Sequence, residues 1–453
     1  MHFEITKQFI DNIKESIEKQ DESLAVDLLD DLHPADIAEL YDNISIEEAK
    51  FLFLLLDGER AADVLSELDD DDRERFLKEL PSDVIAKVFI EHMNSDDAAD
   101  VIADLPEDRQ DEVLSHVEDI EHAGDIVDLL DYEENTAGGL MQKEYVSVNI
   151  TWDVQKCIEE IRNQYEEVDE IFYIYVTDEE NIFKGVLSLK RLIIAKPERK
   201  INSIYDPEAI YVKTGTDSEE VANLMDKYDI VSLPVVDTIG RLVGQITIDD
   251  IVDVLREEAE RDYQMATGLS EDVEITDSVW RLTRARIPWL MFGLFGGVLA
   301  SKVIGLFEED LTRLAATAFF LPLIASTAGN VGIQSSSIVV QSLATNSMGF
   351  HGFWKKLLKE LSVAFINAIS ISAIIFLYNT IFSDSYVITF SVSVSLFIVI
   401  IFASVFGSII PLGLDKLKID PAIATGPFIT ITNDLAGMSI YLIISRIFYN
   451  LLA

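Results

Sequence analysis

The chain has few of the residues that build disulfides, thiolate metal clusters or zinc sites. Its 453 residues include one cysteine, Cys157, so no internal disulfide and no cysteine-ligated metal cluster is possible. The six histidines are scattered without the HxxxH or HxH spacing that is typical of zinc sites. No nucleophile elbow, phosphate-binding glycine loop or zinc motif is present. The sequence therefore does not favour an enzyme.

The first twenty residues lack the apolar stretch of a secretory signal peptide. Charged residues are spread throughout this segment instead. We therefore expect no cleaved leader and an N-terminus in the cytoplasm.

Positive charge is also scarce. Only 35 Lys and Arg stand against 81 Asp and Glu, a formal net charge of −46, although 49% of the residues are hydrophobic. A disordered acidic chain would lack this apolar content. The two properties separate along the chain, because residues 278–453 hold eight acids and eleven bases, whereas residues 1–277 hold 73 acids and 24 bases, a net of −49. Such a field repels nucleic acid and anionic lipid and attracts cations.

The basic C-terminal part, residues 281–453, is predicted to be an α-helical transmembrane domain. It contains five apolar stretches of the length that crosses a bilayer, at 287–307, 311–344, 361–382, 386–412 and 421–452. Lys and Arg precede the first stretch and follow the second and fourth, and acids occupy the other loops. The positive-inside rule then predicts a cell-membrane protein with a cytoplasmic acidic part and an extracytoplasmic C-terminus. An odd number of spans favours a homodimer with a shared interface.

Two of these stretches carry polar groups that lipid solvates poorly. The second has a run of small residues in which Asn330 and Gln334, four apart, share one helical face. The fifth contains Asp434, whose carboxylate costs about 2.5 to 3.5 kcal/mol near the bilayer centre and should face protein, water or a cation. Pro421 and Gly426 before it predict an interrupted helix. The pattern favours a cation pathway with an acidic centre, and a packing seam with a capping acid is the alternative.

Residues 1–135 contain a helical repeat. The phrase ADIAEL from Ala35 recurs as ADVLSEL from Ala62, SDVIAKV from Ser82, ADVIADL from Ala99 and GDIVDLL from Gly124. These intervals predict an acidic α-helical, superhelical domain of short stacked helices, each burying Val, Ile and Leu against its neighbours.

Residues 136–200 and 201–258 form a second kind of duplication. Positions of the same type, 59 residues apart, are Val176 and Val235, Asp178 and Asp237, Gly185 and Gly244, and Ser188 and Thr247. Each copy is predicted to be a strand, a helix, a β-hairpin and a helix, which resembles the α+β pattern of a tandem CBS-domain pair. In many CBS modules a Thr-x-x-Asp, here Thr247 and Asp250, holds the ribose of an adenine nucleotide. Arg191 replaces that acid in the first copy, so ATP binding has weak support.

Residues 249–280 connect this pair to the first span, and their first part is predicted to be one continuous helix. Asp250 and Asp253 are three apart on it, and Glu258 and Asp262 are four apart. Like charges at these spacings repel, and a divalent ion that bridges them to other acids would relieve the repulsion. The alternative is a solvated helix with arginine partners. If the ion bridges the acidic modules, a high concentration of that ion draws them together.

The order of these parts resembles the MgtE family of magnesium channels and transporters over essentially the whole chain. The motifs that carry the resemblance are TAGGLM from Thr136, PLIASTAGNVGIQ from Pro322 and DPAIATGPFITITNDLAGMSIYL from Asp420. The resemblance implies a homodimer whose pore, formed by the second and fifth spans, passes Mg²⁺. The positions of the ion pathway in this chain are then Asp434, Asn330, Gln334, Ile333, Gly426 and Thr430.

The resemblance also implies that Mg²⁺ on the cytoplasmic acids shuts the pore. The matching positions are Asp96, Asp100, Gly139, Asp217, Glu219, Asp226, Asp229, Asp250, Asp253, Glu258 and Asp262. Ile333 and Gly426 stand where amide side chains are common in the family, so selectivity among Mg²⁺, Mn²⁺, Co²⁺ and Ca²⁺ stays open. A Na⁺-coupled divalent cation exchanger and a membrane-anchored Mg²⁺ or nucleotide sensor without transport are the alternatives.

Overall fold

The computed structural model describes residues 5–164, 171–270, 273, 277–313, 315–344, 353–383, 385–424 and 426–452. The chain divides into two compact units, Met1–Arg256 and Glu257–Ala453.

The first unit begins with short stacked helices, as the repeat predicted. Their bounds are α1 Lys7–Glu18, α2 Glu22–Leu29, α3 Pro34–Ala38, α4 Ile46–Phe53, α5 Gly58–Ser66, α6 Asp70–Lys78, α7 Ser82–Val84, α8 Ser95–Ala103, α9 Glu107–Leu114 and α10 Ile120–Leu130. Side-chain oxygens of Asp21, Ser45 and Asp57 cap α2, α4 and α5. The buried rings of Phe53 and Phe89 pack on that of Phe76, with centroids 5.3 and 6.1 Å away.

Two arginines show that the repeat recurs in three dimensions. Arg60 donates hydrogen bonds from Nη2 to the carbonyl oxygens of Leu29 and Leu32, at 2.8 and 3.0 Å. Arg109 donates in the same way to the carbonyls of the residues Leu77 and Leu80. Each guanidinium thus binds one carbonyl near the end of a helix and one in the turn that follows it.

The rest of this unit contains two copies of one α+β motif. The first copy consists of β1 Ser147–Asn149, α11 Val154–Gln164, β2 Ile174–Thr177, β3 Phe183–Leu187 and α12 Leu189–Ile194. The second consists of β4 Val212–Lys213, α13 Ser218–Tyr228, β5 Ser232–Val236, β6 Leu242–Thr247 and α14 Ile248–Thr267. In each three-stranded sheet the first two strands are parallel and the hairpin is antiparallel. The predicted fold class is confirmed.

The predicted offset of 59 residues is visible in the register. The paired residues are Val176 with Gly185 and Val235 with Gly244. In the first hairpin turn Asp178 accepts a hydrogen bond from the backbone N–H of Ile182, and in the second Asp237 accepts one from that of Arg241, at 2.9 and 2.8 Å. Both turns therefore use the same Asp-based closure.

The second unit contains long apolar helices. They are α15 Val279–Gly305, α16 Glu308–Arg313, α17 Leu321–Ala344, α18 Phe353–Phe382, α19 Tyr386–Lys416 and α20 Pro427–Leu452. Among the described residues, five helical segments have the length and composition to cross a membrane: Val279–Gly305, Ala315–Leu343, Leu357–Phe382, Tyr386–Lys416 and Pro427–Leu452. A 3-10 turn, Pro421–Ala424, precedes α20, so the predicted interruption is present.

The helix bounds differ from the apolar stretches at several ends, including those of the first and second stretches. α15 begins at Val279, eight residues before the first apolar stretch, because Ser278 caps it and its basic first turns continue the helix. The second stretch, predicted as one span from 311, is divided into α16, a 3-10 turn at Ala315–Phe320 and α17. Pro322 lies in the first turn of α17, where its missing N–H has no carbonyl to bind.

Small residues let α17 approach both α19 and α20. A Cβ on Gly332 would lie 1.8 Å from Nδ2 of Asn433 in α20. A Cβ on Gly407 of α19 would lie 2.5 Å from the carbonyl oxygen of Gly332. The backbone of α17 is thus packed between two helices at one turn, which is the packing that small residues permit in membranes.

We expect Gly332→Ala to destabilise the protein. The added methyl overlaps Asn433, and such overpacking typically costs about 1 to 3 kcal/mol. Gly297→Ala is the matched control, since nothing lies within 4 Å of a Cβ at Gly297. The melting temperature in detergent should fall for Gly332→Ala and hold or rise for Gly297→Ala. Equal melting temperatures would contradict the close approach.

Candidate ion pathway and acidic cluster

The carboxylate of Asp434 lies where α20 faces α17. A Cβ on Gly329 of α17 would lie 2.9 Å from Oδ1 of Asp434 and 3.2 Å from Cγ2 of Thr430. Oδ1 of Asp434 is buried and has no hydrogen-bond partner among the described residues. A buried carboxylate oxygen without a donor is costly unless a proton, water or cation reaches it. This position therefore fits the acidic centre of a cation pathway.

The amide residues of α17 lie close in sequence to Gly329, the residue that packs against the carboxylate of Asp434. Asn330 follows Gly329 directly, and Asn330 and Gln334 are both exposed on the protomer. Ile333 is half-buried. Exposed amides on a span are poorly solvated by lipid, so this face fits a water-filled path or a second protein surface better than the acyl chains.

Gly426 lies at the break before α20, and a close contact explains why it is glycine. A Cβ at this position would lie 2.3 Å from the carbonyl oxygen of Ala266, in the last turn of α14. A Cβ on Gly268 would lie 2.8 Å from Cγ of Pro427. An asparagine at position 426 would require the end of α14 to move. Thr430, one turn later, donates to the carbonyl of Gly426 at 3.2 Å.

Three of the predicted regulatory acids come together in the first unit. Asp96 and Asp100 lie on α8, and Asp250 lies in the first turn of α14. Burial and then the charge of Asp250 raise the pKa of Asp96 well above its ordinary value of 3.8. Burial raises the pKa of Asp100 to about 7, although Arg73 lowers it.

Asp250 is held by a local contact within this cluster. Its Oδ2 accepts hydrogen bonds from Oγ1 and the backbone N–H of Thr247, at 2.8 and 3.2 Å. Burial still raises the pKa of Asp250 to about 7, and the bonds from Thr247 oppose that shift. Carboxyls with raised pKa values gain from protonation or from a cation. The cluster of Asp96, Asp100 and Asp250, called the acidic cluster below, therefore has the chemistry of a cation-dependent contact.

Two further acids of this region were not predicted. Burial raises the pKa of Asp97. Its place directly after Asp96 in the sequence is a signal that could have identified it. Glu144 accepts hydrogen bonds from the backbone N–H and the hydroxyl of Ser95, at 3.1 and 2.7 Å, and so caps α8. Glu144 also contributes to the raised pKa of Asp96. It is 49 residues from Ser95, so no local signal identifies it.

The TAGGLM segment lies against the second α+β copy. Thr136 forms a bridge with Asp217, and the backbone N–H of Gly139 donates to the carbonyl of Thr136 at 3.0 Å. Asp217 caps α13 by accepting from the N–H of Glu219 at 3.1 Å. The structure thus places Gly139, Asp217 and Glu219 in one region. None of the three belongs to the acidic cluster.

The remaining predicted acids are not brought to one point. Asp226 and Asp229 lie at the C-terminal end of α13, where Asp229 adopts a left-handed conformation. The eleven residues of α13, about 16 Å of helix, separate Asp229 from Asp217, and Asp226 lies less than one turn before the end of that helix. The continuous α14 carries Asp253, Glu258 and Asp262, and Glu258 accepts a 2.7 Å ion pair from Arg261.

No three His, Cys, Asp or Glu side chains in the described part of the chain are grouped so that they could hold a metal ion. The acids of the cluster approach one another without forming a closed ligand set. An ion bound there would keep much of its water, which is the usual behaviour of Mg²⁺.

The raised pKa values predict that Mg²⁺ binding weakens in acid. A raised pKa means that the assembled cluster holds protons more tightly than separated acids do, so the cost of burying its charged carboxylates is complete above about pH 7 and relieved below it. Mg²⁺ must displace those protons, and one carboxyl with a pKa of about 7 weakens binding about tenfold between pH 8 and pH 6. Calorimetry on the full-length protein measures this.

The matched control for that titration is the Asp100→Asn, Asp250→Asn variant. It should bind Mg²⁺ more weakly at pH 8 and lose most of the pH dependence. Equal wild-type affinities at pH 6 and pH 8 would contradict the raised pKa values.

The architecture defines a multi-pass membrane protein that carries a carboxylate inside one span and joins an acidic helical domain to a CBS pair. Sequence profiles match accordingly: the MgtE divalent cation transporter domain at residues 321–444, the MgtE intracellular N domain at 32–135, and CBS domains at 137–198 and 201–257. Magnesium transporter MgtE of Thermus thermophilus is 33% identical over 96% of this chain and 97% of its own length. That of Bacillus subtilis is 31% identical over 93% of each. The chain belongs to the MgtE family.

Solved structures agree for the first unit. The cytosolic domain of the Mg²⁺ channel MgtE in complex with ATP is 37% identical, with a TM-score of 0.51 over 54% of this chain and 99% of that one. The soluble part of a magnesium transporter is 30% identical, with a TM-score of 0.50 over 56% of this chain and 99% of that one.

Proposed function

We propose that this protein takes Mg²⁺ up across the cell membrane, and that Mg²⁺ bound to its cytoplasmic acids shuts it. The names of its relatives support the choice of ion. The distribution of basic residues supports a cytoplasmic N-terminus and an extracytoplasmic C-terminus. The relatives are named as transporters, and no catalytic motif is present in the sequence.

The buried Oδ1 of Asp434 is the observation that carries the proposal. A carboxylate oxygen without a hydrogen-bond donor, inside a span and packed against the glycine backbone of α17, attracts a cation. Mg²⁺ loses its water reluctantly, so a single carboxylate that acts through water suits it better than a full protein cage. Thr430 and the amides of Asn330 and Gln334 would contact the hydrated ion.

A homodimer completes this pathway. The exposed face of α17 that carries Asn330 and Gln334 requires water or protein against it in a bilayer. A second protomer related by a two-fold axis would bring the same face and a second Asp434 to one pore. The half-buried Ile333 then contributes an apolar wall, and selectivity depends on Asp434 and the two amides.

Gating rests on the acidic cluster. Without Mg²⁺, burial and then the charges of neighbouring acids disfavour the ionised forms of Asp96, Asp100 and Asp250, which is why their pKa values are raised. Mg²⁺ that binds between α8 and α14 favours the assembled state, and the ion shifts the equilibrium by its differential affinity for the two states. Because α14 continues to Thr267, its position can be transmitted along the helix. Uptake is then limited by the internal ion.

ATP is a second ligand of the same region in this proposal. A structure of a relative's cytosolic domain is described as a complex with ATP. Here the Thr247 hydroxyl and the Asp250 carboxylate, the proposed ribose contacts, are bonded to each other. A ribose hydroxyl would take Asp250 from Thr247, and ATP would therefore change the Mg²⁺ affinity measured by calorimetry.

Ion flux into proteoliposomes tests the proposed function. Wild-type protein should carry Mg²⁺ at a rate that follows an imposed membrane potential and requires no sodium. Flux that requires a sodium gradient would instead identify an exchanger. No flux at any potential, with Mg²⁺ binding retained, would identify a sensor and contradict the proposal.

A further inference from the structure

An acidic side chain outside the proposed ion pathway, Glu360, lies in the first turn of the candidate membrane span Leu357–Phe382. Oε1 of Glu360 accepts a hydrogen bond from Oγ of Ser335 at 2.7 Å and one from Oγ of Ser404 at 3.3 Å. The two hydroxyl oxygens are 2.9 Å apart. Ser335 is 3% exposed and Ser404 is 2% exposed. One carboxylate thus joins three helices, α17, α18 and α19.

The chemistry of this contact requires an acceptor. Each serine has one hydroxyl proton to donate. If the two serines bond only to each other, one of these protons has an acceptor and the other has none, and the carboxylate of Glu360 supplies that second acceptor. Intramembrane acids are rare and expensive, and they are retained where they face protein groups that bind them. A glutamine has a carbonyl oxygen that accepts in the same way. An alanine leaves two buried hydroxyls with only each other.

The contact lies one turn from the packing that forms the ion pathway. Gly332 precedes Ser335 by three residues, and Gly407 follows Ser404 by three. A Cβ on Gly407 would lie 2.5 Å from the carbonyl oxygen of Gly332, and Gly332 itself packs on Asn433, the neighbour of Asp434. The bonds to Glu360 therefore hold α17 against α19 at the turn where α17 also meets α20.

We propose that Glu360 is a positioning residue for the ion pathway. Through Ser335 and Ser404 it fixes α17 against α19, and so sets how Asp434 of α20 is held against Gly329 of α17 beside the ion pathway. The inference rests on the proposed transport function. It gives the carboxylate a structural role in ion passage without direct contact with the ion.

The test is Mg²⁺ flux in proteoliposomes as a function of external Mg²⁺, with Ca²⁺ flux as a second readout. Glu360→Ala should raise the half-saturating Mg²⁺ concentration about tenfold, the change that loss of one buried hydrogen-bond acceptor produces. It should also lower the ratio of Mg²⁺ to Ca²⁺ flux. Glu360→Gln should stay within about twofold of wild type, because its carbonyl oxygen still accepts.

The serine variants separate positioning from general stability. The Ser335→Ala, Ser404→Ala double variant should reproduce Glu360→Ala, and adding Glu360→Ala to it should change nothing further. If Glu360→Ala does not fold, the double variant can be compared with wild type in its place. Glu309→Gln, a neutralised and exposed acid of the same unit, should behave as wild type.

Several results would overturn the inference. One is a wild-type half-saturating Mg²⁺ concentration in Glu360→Ala, and another is a change in Glu360→Gln as large as in Glu360→Ala. A third is additive effects in the triple variant. The last is a lower maximum flux in Glu360→Ala with unchanged half-saturation and selectivity. Absence of flux from the wild type would be a failure of the proposed function instead, and so the two failures are distinct.

Discussion

Asp434→Asn is expected to lower Mg²⁺ flux about a hundredfold, a change that corresponds to about 2.7 kcal/mol. Asparagine has nearly the shape of aspartate, so the packing of α20 against Gly329 is kept and only the charge is lost. A carboxylate and a divalent ion separated by one water attract each other by several kcal/mol at an effective dielectric constant of about 20. Most of that attraction is absent in the variant, because an amide offers only a dipole.

Flux of wild type, Asp434→Asn and Glu309→Gln in matched proteoliposomes measures this effect. Glu309 lies in the same unit and its side chain is 88% exposed, so its neutralisation controls for net charge. A melting temperature within a few degrees of wild type shows that Asp434→Asn is folded. Undiminished Mg²⁺ flux in folded Asp434→Asn would exclude the carboxylate as the acidic centre of the pathway.

Neutralising the acidic cluster is expected to remove the response to internal Mg²⁺. In the variant Asp96→Asn, Asp100→Asn, Asp250→Asn, the ion loses the carboxylates it would bridge, and the assembled state no longer depends on it. Wild-type flux should fall as Mg²⁺ on the cytoplasmic side rises, whereas flux of the variant should be the same at low and high internal Mg²⁺. The coupling free energy between the cytoplasmic ion and pore closure is then close to zero.

A control of equal charge change uses exposed acids of the same helical domain. The variant Asp31→Asn, Glu39→Gln, Asp111→Asn alters three exposed residues and should retain the wild-type response. Closure of the cluster variant at the wild-type Mg²⁺ concentration would refute the assignment of gating to the acidic cluster. Loss of response in the control variant would indicate a general charge effect instead.

The sequence predicted the parts of the fold that local pattern determines. Five spans follow from apolar runs, and the duplication follows from identities such as Val176 and Val235, which the register of β2 and β5 reproduces. Helix ends were less predictable. α15 begins in basic turns before the apolar run, because a serine cap and helical hydrogen bonding do not depend on hydropathy.

Contacts between distant residues explain what the sequence missed. Glu144 caps α8 from 49 residues away, and Gly426 is glycine because the carbonyl of Ala266 occupies the space of its Cβ. The bonds of Glu360 join residues on three different helices. Such contacts depend on how the elements pack in three dimensions, and the type of a residue does not identify its distant partner.

Current through the wild-type protein in a planar bilayer, with Mg²⁺ as the only permeant cation, measures Mg²⁺ passage and its closure by cytoplasmic Mg²⁺ in one experiment. Mg²⁺ is held constant on the extracytoplasmic side and raised on the cytoplasmic side. We expect an inward Mg²⁺ current at low cytoplasmic Mg²⁺ that is lost, beyond the change in driving force, as cytoplasmic Mg²⁺ rises. No current, or a current that follows the driving force alone, would contradict this expectation.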